Sequence, residues 1–371
     1  MGERDVVALF LELARIPSPP GRERAVADRV CEYLDRLGVD VEEDEAGARI
    51  GSTAGNLLAR LPATQGGIAV FFCAHLDTVP PSDEIDPVVA DGVVTNARET
   101  ILGADNKAAV AAMLAAVRRI VDERRPHAGV ELLFTPKEET GLEGAKELDD
   151  TTLAARVGFV YDHAGPIGEV VLAAPSSTAI DAVFHGRAAH AGMHPEEGRS
   201  AISAAARALA DLRLGRIDDE TTANVGTVQG GTARNVVPDR CQIEAEARSC
   251  DERKLAELVR EMLDSFAFAA SIGECELETA LEEKYRGYRF RPDDAPVRLA
   301  YAALARSGFQ PRGISAGGGA DANVFNARGR ACANLANGMT RIHSADERIA
   351  VSDVESMVEV TLEIVEAARG G

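Results

Sequence analysis

The stretch that decides the fold runs Phe71-Phe72-Cys73-Ala74-His75-Leu76-Asp77-Thr78-Val79-Pro80. The apolar run from Ile68 to Ala74 predicts a buried β-strand, and polar residues begin at His75. Ligands of open α/β sheets bind just beyond the carboxyl ends of strands, where a histidine can bind a metal ion. An aspartate two residues later, here Asp77, can hydrogen-bond the other ring nitrogen of a ligand histidine. The pattern is weak by itself, and a strand that simply ends in polar residues is its commoner explanation.

A second predicted strand, from Gly129 to Thr135, leads into the adjacent acids Glu138 and Glu139. Neighbouring carboxylates raise each other's pKa unless a cation lies between them. A metal ion can bind one such carboxylate while the other acts as a base. A solvated acidic pair on a loop is the ordinary alternative for this local pattern.

Two further acids belong to the same predicted edge of the sheet. The strand from Val157 to Tyr161 ends at Asp162, and Asp105 lies near the start of a long Ala-rich helix, where capping is the ordinary role of an aspartate. Each acid has an ordinary explanation alone, but their concentration with His75 at one sheet edge does not. Such a set of oxygen and imidazole ligands suits one or two divalent cations.

Length and charge exclude some classes of protein. The chain has 371 residues, too many for one ordinary hydrophobic core, so two domains are expected. Its 60 acidic residues outnumber the 40 basic ones and give a net charge of −20, which argues against a nucleic-acid partner. A solvated acidic surface is the simplest interpretation of this charge, and it favours solubility.

The cysteines and apolar segments indicate a cytoplasmic protein. The six cysteines are scattered and form no Cys-x-x-Cys pair, which is typical of reduced thiols. The first residues begin an amphipathic helix and lack the layout of a signal peptide. The longest Ala-rich apolar run, residues 108–117, is too short to span a bilayer, so we expect no membrane partner.

The order of predicted elements changes near Pro175. From there to Tyr285 the pattern predicts a β-α-β-β-α-β order, which is the split-βαβ arrangement of ferredoxin-like domains. A length of about a hundred residues is reasonable for such a domain. Because the first pattern then resumes, we predict one domain formed by residues 1–174 and 286–371, with residues 175–285 inserted into it.

Taken together, the motifs resemble the M20 metallopeptidase family, and most closely its peptidase T-like branch. The segments that carry this resemblance are His75-Leu76-Asp77-Thr78-Val79, Leu102-Gly103-Ala104-Asp105-Asn106-Lys107, Glu138-Glu139-Thr140-Gly141-Leu142-Glu143-Gly144-Ala145-Lys146, Asp162-His163-Ala164-Gly165, His190-Ala191-Gly192, Gly317-Gly318-Gly319-Ala320-Asp321-Ala322-Asn323 and Ile342-His343-Ser344. The resemblance implies an α/β fold with a mixed-sheet zinc-peptidase catalytic domain. The inserted ferredoxin-like α+β domain would then serve as a lid and dimerisation domain.

The resemblance also implies two divalent metal ions, usually Zn²⁺, with Mn²⁺ or Co²⁺ as alternatives. Asp105 would bridge the two ions, and Glu138 would be the general base. The remaining ligands implied are His75 and Asp162 for one ion and Glu139 and His343 for the other. Asp77 would orient His75 without itself binding a metal ion.

The inserted domain would supply an uncharged donor to the oxyanion, and the motif match gives this role to His190. The residues alone leave it open, because His185 and His194 flank His190. The resemblance further implies a homodimer, in which this histidine can come from the partner subunit. The implied substrate-binding residues are Asn235, Arg234, Gly318 and Gly319.

The expected activity is hydrolysis of short peptides, with aminopeptidase action of the tripeptidase kind. An amidohydrolase acting on N-acyl amino acids uses the same site and is the alternative, while a non-catalytic metal-binding relative conflicts with the complete set of base and ligands. Nucleotide binding by Gly317-Gly318-Gly319 is excluded, because no Gly-x-Gly-x-x-Gly opens a helix after the first strand. One departure from peptidase T is Ala316, which lies in the neighbourhood where an arginine precedes the glycines, so the resemblance does not imply strict tripeptide specificity.

Overall fold

The computed structural model describes residues 6–82, 84–149 and 151–370. They divide into two compact units. Unit 1 contains the chain up to residue 172, residues 290–316 and the chain from residue 320 onward. Unit 2 contains residues 173–289 and 317–319. The predicted insertion at residues 175–285 falls inside unit 2.

The strands are β1 (Val41–Glu43), β2 (Leu57–Leu61), β3 (Val70–His75), β4 (Pro87–Ala90), β5 (Val93–Asn96), β6 (Val130–Thr135), β7 (Val157–His163), β8 (Glu169–Ala174), β9 (Ser176–His185), β10 (Gly215–Asp218), β11 (Thr221–Gly230), β12 (Arg240–Ser249), β13 (Glu276–Tyr285), β14 (Tyr288–Arg289), β15 (Arg312–Ser315), β16 (Ala331–Ala336) and β17 (Arg348–Ala350). The helices are α1 (Val6–Ala14), α2 (Arg24–Asp35), α3 (Ala46–Ile50), α4 (Ala104–Asp122), α5 (Glu143–Glu147), α6 (Ala201–Asp211), α7 (Glu252–Ile272), α8 (Ala295–Arg306), α9 (Asp321–Ala327) and α10 (Val351–Ala368).

Unit 1 is built on a mixed sheet in the order β1-β2-β6-β3-β7-β16-β8. Strands β6, β3, β7 and β16 run parallel to one another, whereas β2 and β8 pair antiparallel at either side. All side chains of β3 and β6 are buried, as expected for parallel strands covered on both faces. The predicted α/β fold with a mixed sheet is confirmed.

Helix α4 is the central helix of unit 1. Its alanines from Ala108 to Ala116 are buried, and the helix contacts α1, α10 and strand β3. Small side chains let these neighbours approach α4 closely from several directions. The carboxyl end of β3 and the start of α4 therefore lie in one tightly packed region.

Unit 2 contains a five-stranded sheet in the order β10-β11-β12-β9-β13, in which every pairing is antiparallel. Helices α6 and α7 pack on it over a core that includes Ile180, Phe184 and Phe266. Phe184 and Phe266 meet edge to face with ring centroids 6.2 Å apart. The short strand β10 is an addition to the predicted β-α-β-β-α-β order.

The composition of residues 80–99 predicts a polar loop with one short Val-rich piece, and the structure differs from this expectation. The segment contains the β4–β5 hairpin, which forms a small three-stranded sheet with β17. Within residues 6–82, 84–149 and 151–370, each helix is too short or too polar to cross a membrane.

Candidate metal centre

The carboxyl ends of β3, β6 and β7 place the predicted ligands at one edge of the main sheet. His75, the last residue of β3, is in register with Thr135, the last residue of β6. Glu138 and Glu139 follow β6 after a short turn, and Asp162 lies near the end of β7. Parallel pairing of the strands thus brings these side chains together, as the sequence predicts.

One group of ligand atoms surrounds His75. Its Nε2 lies 3.2 Å from Asp105 Oδ1 and 3.6 Å from Asp162 Oδ1. The three side chains offer ligand atoms within 4.8 Å of one another. All three are almost completely shielded from solvent, so their charges interact strongly.

A second group surrounds His343 and shares Asp105 with the first. His343 Nε2 lies 3.2 Å from Asp105 Oδ2 and 3.1 Å from Glu139 Oε1. Asp105 therefore directs one carboxylate oxygen to His75 and the other to His343. This arrangement is what a bridging carboxylate requires. A further overlapping group, formed by His75, Glu138 and Glu139, satisfies the same distance limit.

Asp105 does not act as the helix cap that its position alone suggested. The cap position of α4 is Gly103, and Asp105 and Asn106 have non-helical backbone angles within the first turn. This backbone turns the Asp105 carboxylate toward the two imidazoles, where His343 and His75 hydrogen-bond it. Although burial acts in the opposite direction, these hydrogen bonds lower the pKa of Asp105 below its ordinary value.

The site has an excess of buried negative charge. Burial, followed by the nearby Asp105 charge, raises the pKa of Asp162 to about 8. Burial and the Asp162 charge likewise raise the pKa of Glu138 well above its ordinary value. Hydrogen bonds to Asp105 and Glu139 raise the pKa of His343 to about 10, because they favour its charged form.

The residues present fit a pair of divalent cations. Carboxylate oxygens and imidazole nitrogens form two groups that share one aspartate, and such donors are typical of zinc and similar metals. Burial, and then neighbouring carboxylates, raise the pKa values of Asp162 and Glu138, so both groups ionise with difficulty unless positive charge is near. Divalent cations would supply the missing positive charge.

Asp77 contacts His75 and also the acidic pair Glu138 and Glu139. The main-chain carbonyl of Asp77 lies 2.9 Å from His75 Nδ1, whereas its carboxylate is 3.5 Å from that nitrogen. The carboxylate instead accepts the backbone N–H groups of Glu138 at 2.9 Å and Glu139 at 3.1 Å. The backbone of Asp77 thus orients the histidine, and its side chain holds the acidic pair in place.

Two buried charged residues behind the site were missed by the sequence reasoning. Lys107 donates to the carbonyl of Ile16 at 2.5 Å, and burial lowers the pKa of its ammonium to about 7. Glu347 accepts backbone N–H groups from the segment that carries Asp105. Lys107 gives a signal in the sequence, since it is a cation directly before the apolar run of residues 108–117, whereas Glu347 gives none apart from its closeness to His343.

In unit 2, the structure brings His190 and Asn235 together. The N–H of Ala191 donates to the carbonyl of Asn235 at 3.0 Å, and His190 forms a β-bridge with Val236. The N–H of Gly192 donates to His190 Nδ1 at 3.2 Å, so the other ring nitrogen carries the proton in the neutral tautomer. His190, Arg234 and Asn235 are all exposed on unit 2.

Gly319 differs from its predicted role, whereas Gly318 does not. The N–H of Gly319, which was expected to bind substrate, already donates to the hydroxyl of Tyr285 at 3.1 Å. A Cβ atom at Gly319 would lie 2.5 Å from the Tyr285 ring, so close packing is the reason for glycine at this position. Gly318 is exposed, and it stays a candidate for substrate binding.

The fold and the donor set define a metallohydrolase. A model of peptidase family M20/M25/M40 matches residues 71–367, and the chain belongs to this family. An uncharacterised protein of Bacillus subtilis, YqjE, is 38% identical over 99% of both chains. Peptidase T of Salmonella arizonae is 26% identical and covers 85% of this chain and 86% of its own.

Solved structures support the same family. An aminopeptidase of Bacillus cereus is 38% identical, covers 99% of both chains and superposes with a TM-score of 0.90. A tripeptidase of Staphylococcus aureus is 35% identical, covers 100% of both chains and has a TM-score of 0.95. The resemblance to the M20 family and its peptidase T-like branch is therefore confirmed.

Proposed function

We propose that this protein is a dinuclear metallo-aminopeptidase that removes the first residue of short peptides. The observation that carries the proposal is the division of the Asp105 carboxylate between His75 and His343, with an acidic residue beside each histidine. The aminopeptidase of Bacillus cereus and the tripeptidase of Staphylococcus aureus support peptides as the substrate class.

The metal ligands in this proposal are His75, Asp105 and Asp162 for one ion and Asp105, Glu139 and His343 for the other. When bound, a metal pair activates water and polarises the carbonyl of the bond to be cleaved. We propose Zn²⁺, with Mn²⁺ or Co²⁺ able to replace it, because carboxylates and imidazoles accept all three ions.

Glu138 is the proposed general base. It is buried beside the ligands, and its raised pKa makes it a stronger proton acceptor than an exposed glutamate. Glu138 takes a proton from the attacking water and returns it to the leaving amine. The backbone N–H groups of Glu138 and Glu139 donate hydrogen bonds to the Asp77 carboxylate, which holds both residues in place. The proposed base and the proposed metal ligand therefore occupy separate positions.

Unit 2 supplies the proposed oxyanion donor and the lid. His190, in its neutral form, is an uncharged donor suited to a developing negative oxygen. Asn235, Arg234 and Gly318 are the proposed substrate-binding residues. We further propose that the protein is a homodimer and that it is cytoplasmic. The six free thiols support the location.

Hydrolysis of a panel of dipeptides and tripeptides, followed by mass spectrometry, tests the proposal. The panel includes N-acetylated versions of the same compounds, with and without chelator and added zinc, manganese or cobalt. We expect chelator-sensitive loss of the first residue from the free-amine peptides. If only the N-acetylated compounds were cleaved, the activity would be that of an N-acyl amino acid amidohydrolase and not that of an aminopeptidase.

A further inference from the structure

Glu347 connects two segments that carry proposed metal ligands. It lies four residues after His343, and only 2% of its surface is exposed. One carboxylate oxygen accepts the N–H groups of Leu102 at 2.8 Å and Gly103 at 2.9 Å. The other oxygen accepts the N–H of Asp105 at 2.9 Å. A single side chain thus fixes the backbone of the bridging residue itself.

The segment from Leu102 to Asp105 needs such a partner because its backbone is not helical. Gly103 has a φ of 74°, and Asp105 has a φ of −83° with a ψ of 100°. Backbone N–H groups at the beginning of a helix have no carbonyl partner within that helix, and buried ones must be satisfied otherwise. Glu347 satisfies them, and it thereby sets the direction in which the Asp105 side chain leaves the chain.

Glu347 is also tied to the His343 segment by the turn between them. The N–H of Glu347 donates to the carbonyl of Ser344 at 3.1 Å, which makes the connection short and folded. The His343 and Asp105 side chains approach to 3.2 Å at the site. The Glu347 contacts therefore hold the two segments together a few residues away from the ligand atoms.

A buried carboxylate is costly unless hydrogen bonds and opposite charge compensate it. The three N–H groups and the charge of the nearby Lys107 favour the ionised form of Glu347, although burial outweighs them and raises the pKa of its carboxyl above the ordinary value. An apolar side chain at this position would leave the three buried N–H groups without an acceptor. These three hydrogen bonds from backbone N–H groups to Glu347, called the clamp below, therefore fix the position of Asp105 as well as satisfying the N–H groups.

We propose that Glu347 is a positioning residue that sets the separation of Asp105 and His343 and so determines the metal affinity of the site. The inference rests on the proposed dinuclear function. Both ions depend on Asp105, but only one also depends on His343. Loss of the clamp should therefore weaken the ion at Glu139 and His343 more than the ion at His75 and Asp162.

The test compares E347Q with E131Q. Glu131 is a matched control, because it is also buried and accepts the backbone N–H groups of Ala154 at 3.1 Å and Ala155 at 2.8 Å. Titration of the metal-free proteins with Co²⁺ against a competing chelator gives the affinity of each equivalent. We expect E347Q to weaken one equivalent by about 10- to 100-fold, the usual effect of losing a residue that orients a ligand, and E131Q to leave both unchanged.

The thermal shift on adding Co²⁺ provides a second readout. E347Q should lose much of the increase in melting temperature that the wild type shows, whereas E131Q should keep it. E347D, which retains the charge but is shorter by one methylene, replaces E347Q if the amide variant does not fold. Wild-type affinities in a folded E347 variant would overturn the inference alone. A wild-type protein that binds no Co²⁺ would overturn the proposed function together with it.

Discussion

At the scale of single residues, Asp77 shows that a side chain and its own backbone can serve different purposes. The main-chain carbonyl faces His75, while both carboxylate oxygens accept N–H groups of the acidic pair. Sequence spacing predicts that the two residues are close, but it does not distinguish a carbonyl from a carboxylate. That distinction depends on the backbone angles after β3.

Replacing Asp77 with asparagine should lower kcat by about 10- to 100-fold, because the new NH₂ group faces an N–H donor of Glu138 or Glu139. The metal content, measured by elemental analysis, should change less, since the carbonyl that contacts His75 remains. D251N is the control, because Asp251 accepts backbone N–H groups at the start of α7 in unit 2. An unchanged kcat in D77N would show that the acidic pair is held by other contacts.

Replacing Glu138 with alanine should lower kcat by about 10² to 10⁴, the usual contribution of a general base, while the protein still binds two equivalents of metal. Steady-state kinetics and elemental analysis measure the two quantities on the same preparation. Glu143→Ala is the control a few residues further along the chain, because Glu143 begins α5 and pairs with Lys137 and Thr140. Loss of one metal equivalent from E138A would identify Glu138 as a ligand, which the group of His75, Glu138 and Glu139 also allows.

At the scale of elements, the strands and helices of the core follow directly from their apolar patterns. Strand β3 and helix α4 are predicted because burial leaves continuous apolar or alanine-rich runs. The β4–β5 hairpin was missed, although Asp91-Gly92 between two valine pairs is a hairpin signal. Both turn residues have positive φ, 51° and 76°, as a type I′ turn requires. The polar residues on both sides of this short segment favoured its interpretation as a loop.

The alanines of α4 give a prediction at this scale. Ala112 is fully buried in a helix that contacts its neighbours on several sides, so Ala112→Leu should lower the free energy of unfolding by about 1–3 kcal/mol through overpacking. Denaturant unfolding followed by circular dichroism measures this change. Ala206→Leu, at an exposed position of α6, should change stability by less than about 0.5 kcal/mol. Equal stabilities for both variants would show that α4 has room for a larger side chain.

At the scale of the whole molecule, the sequence predicts which site residues come together more readily than it predicts the contacts that hold them in place. The strand ends bring His75, Glu139 and Asp162 to one edge because parallel strands share a direction. Asp105 was placed beside this edge from the sequence, but its bridging role and the part of His343 were assigned by family resemblance, since a helix start and a loop carry no such rule. Glu347 acts on a backbone 242 positions away, and no local pattern encodes that contact.

The contribution of unit 2 to catalysis can be tested through His190. Removal of an oxyanion donor typically lowers kcat by about 10² to 10³, so His190→Ala should show such a loss with little change in KM. Histidine 194 provides a matched control: it is exposed on the same loop, its side chain is 63% exposed, and its N–H donates to the carbonyl of His190. His194→Ala preserves that backbone contact and should retain wild-type kcat. A rise in KM alone for His190→Ala would make His190 a substrate-binding residue instead, and equal losses in both variants would indicate that the loop as a whole, rather than one imidazole, is required.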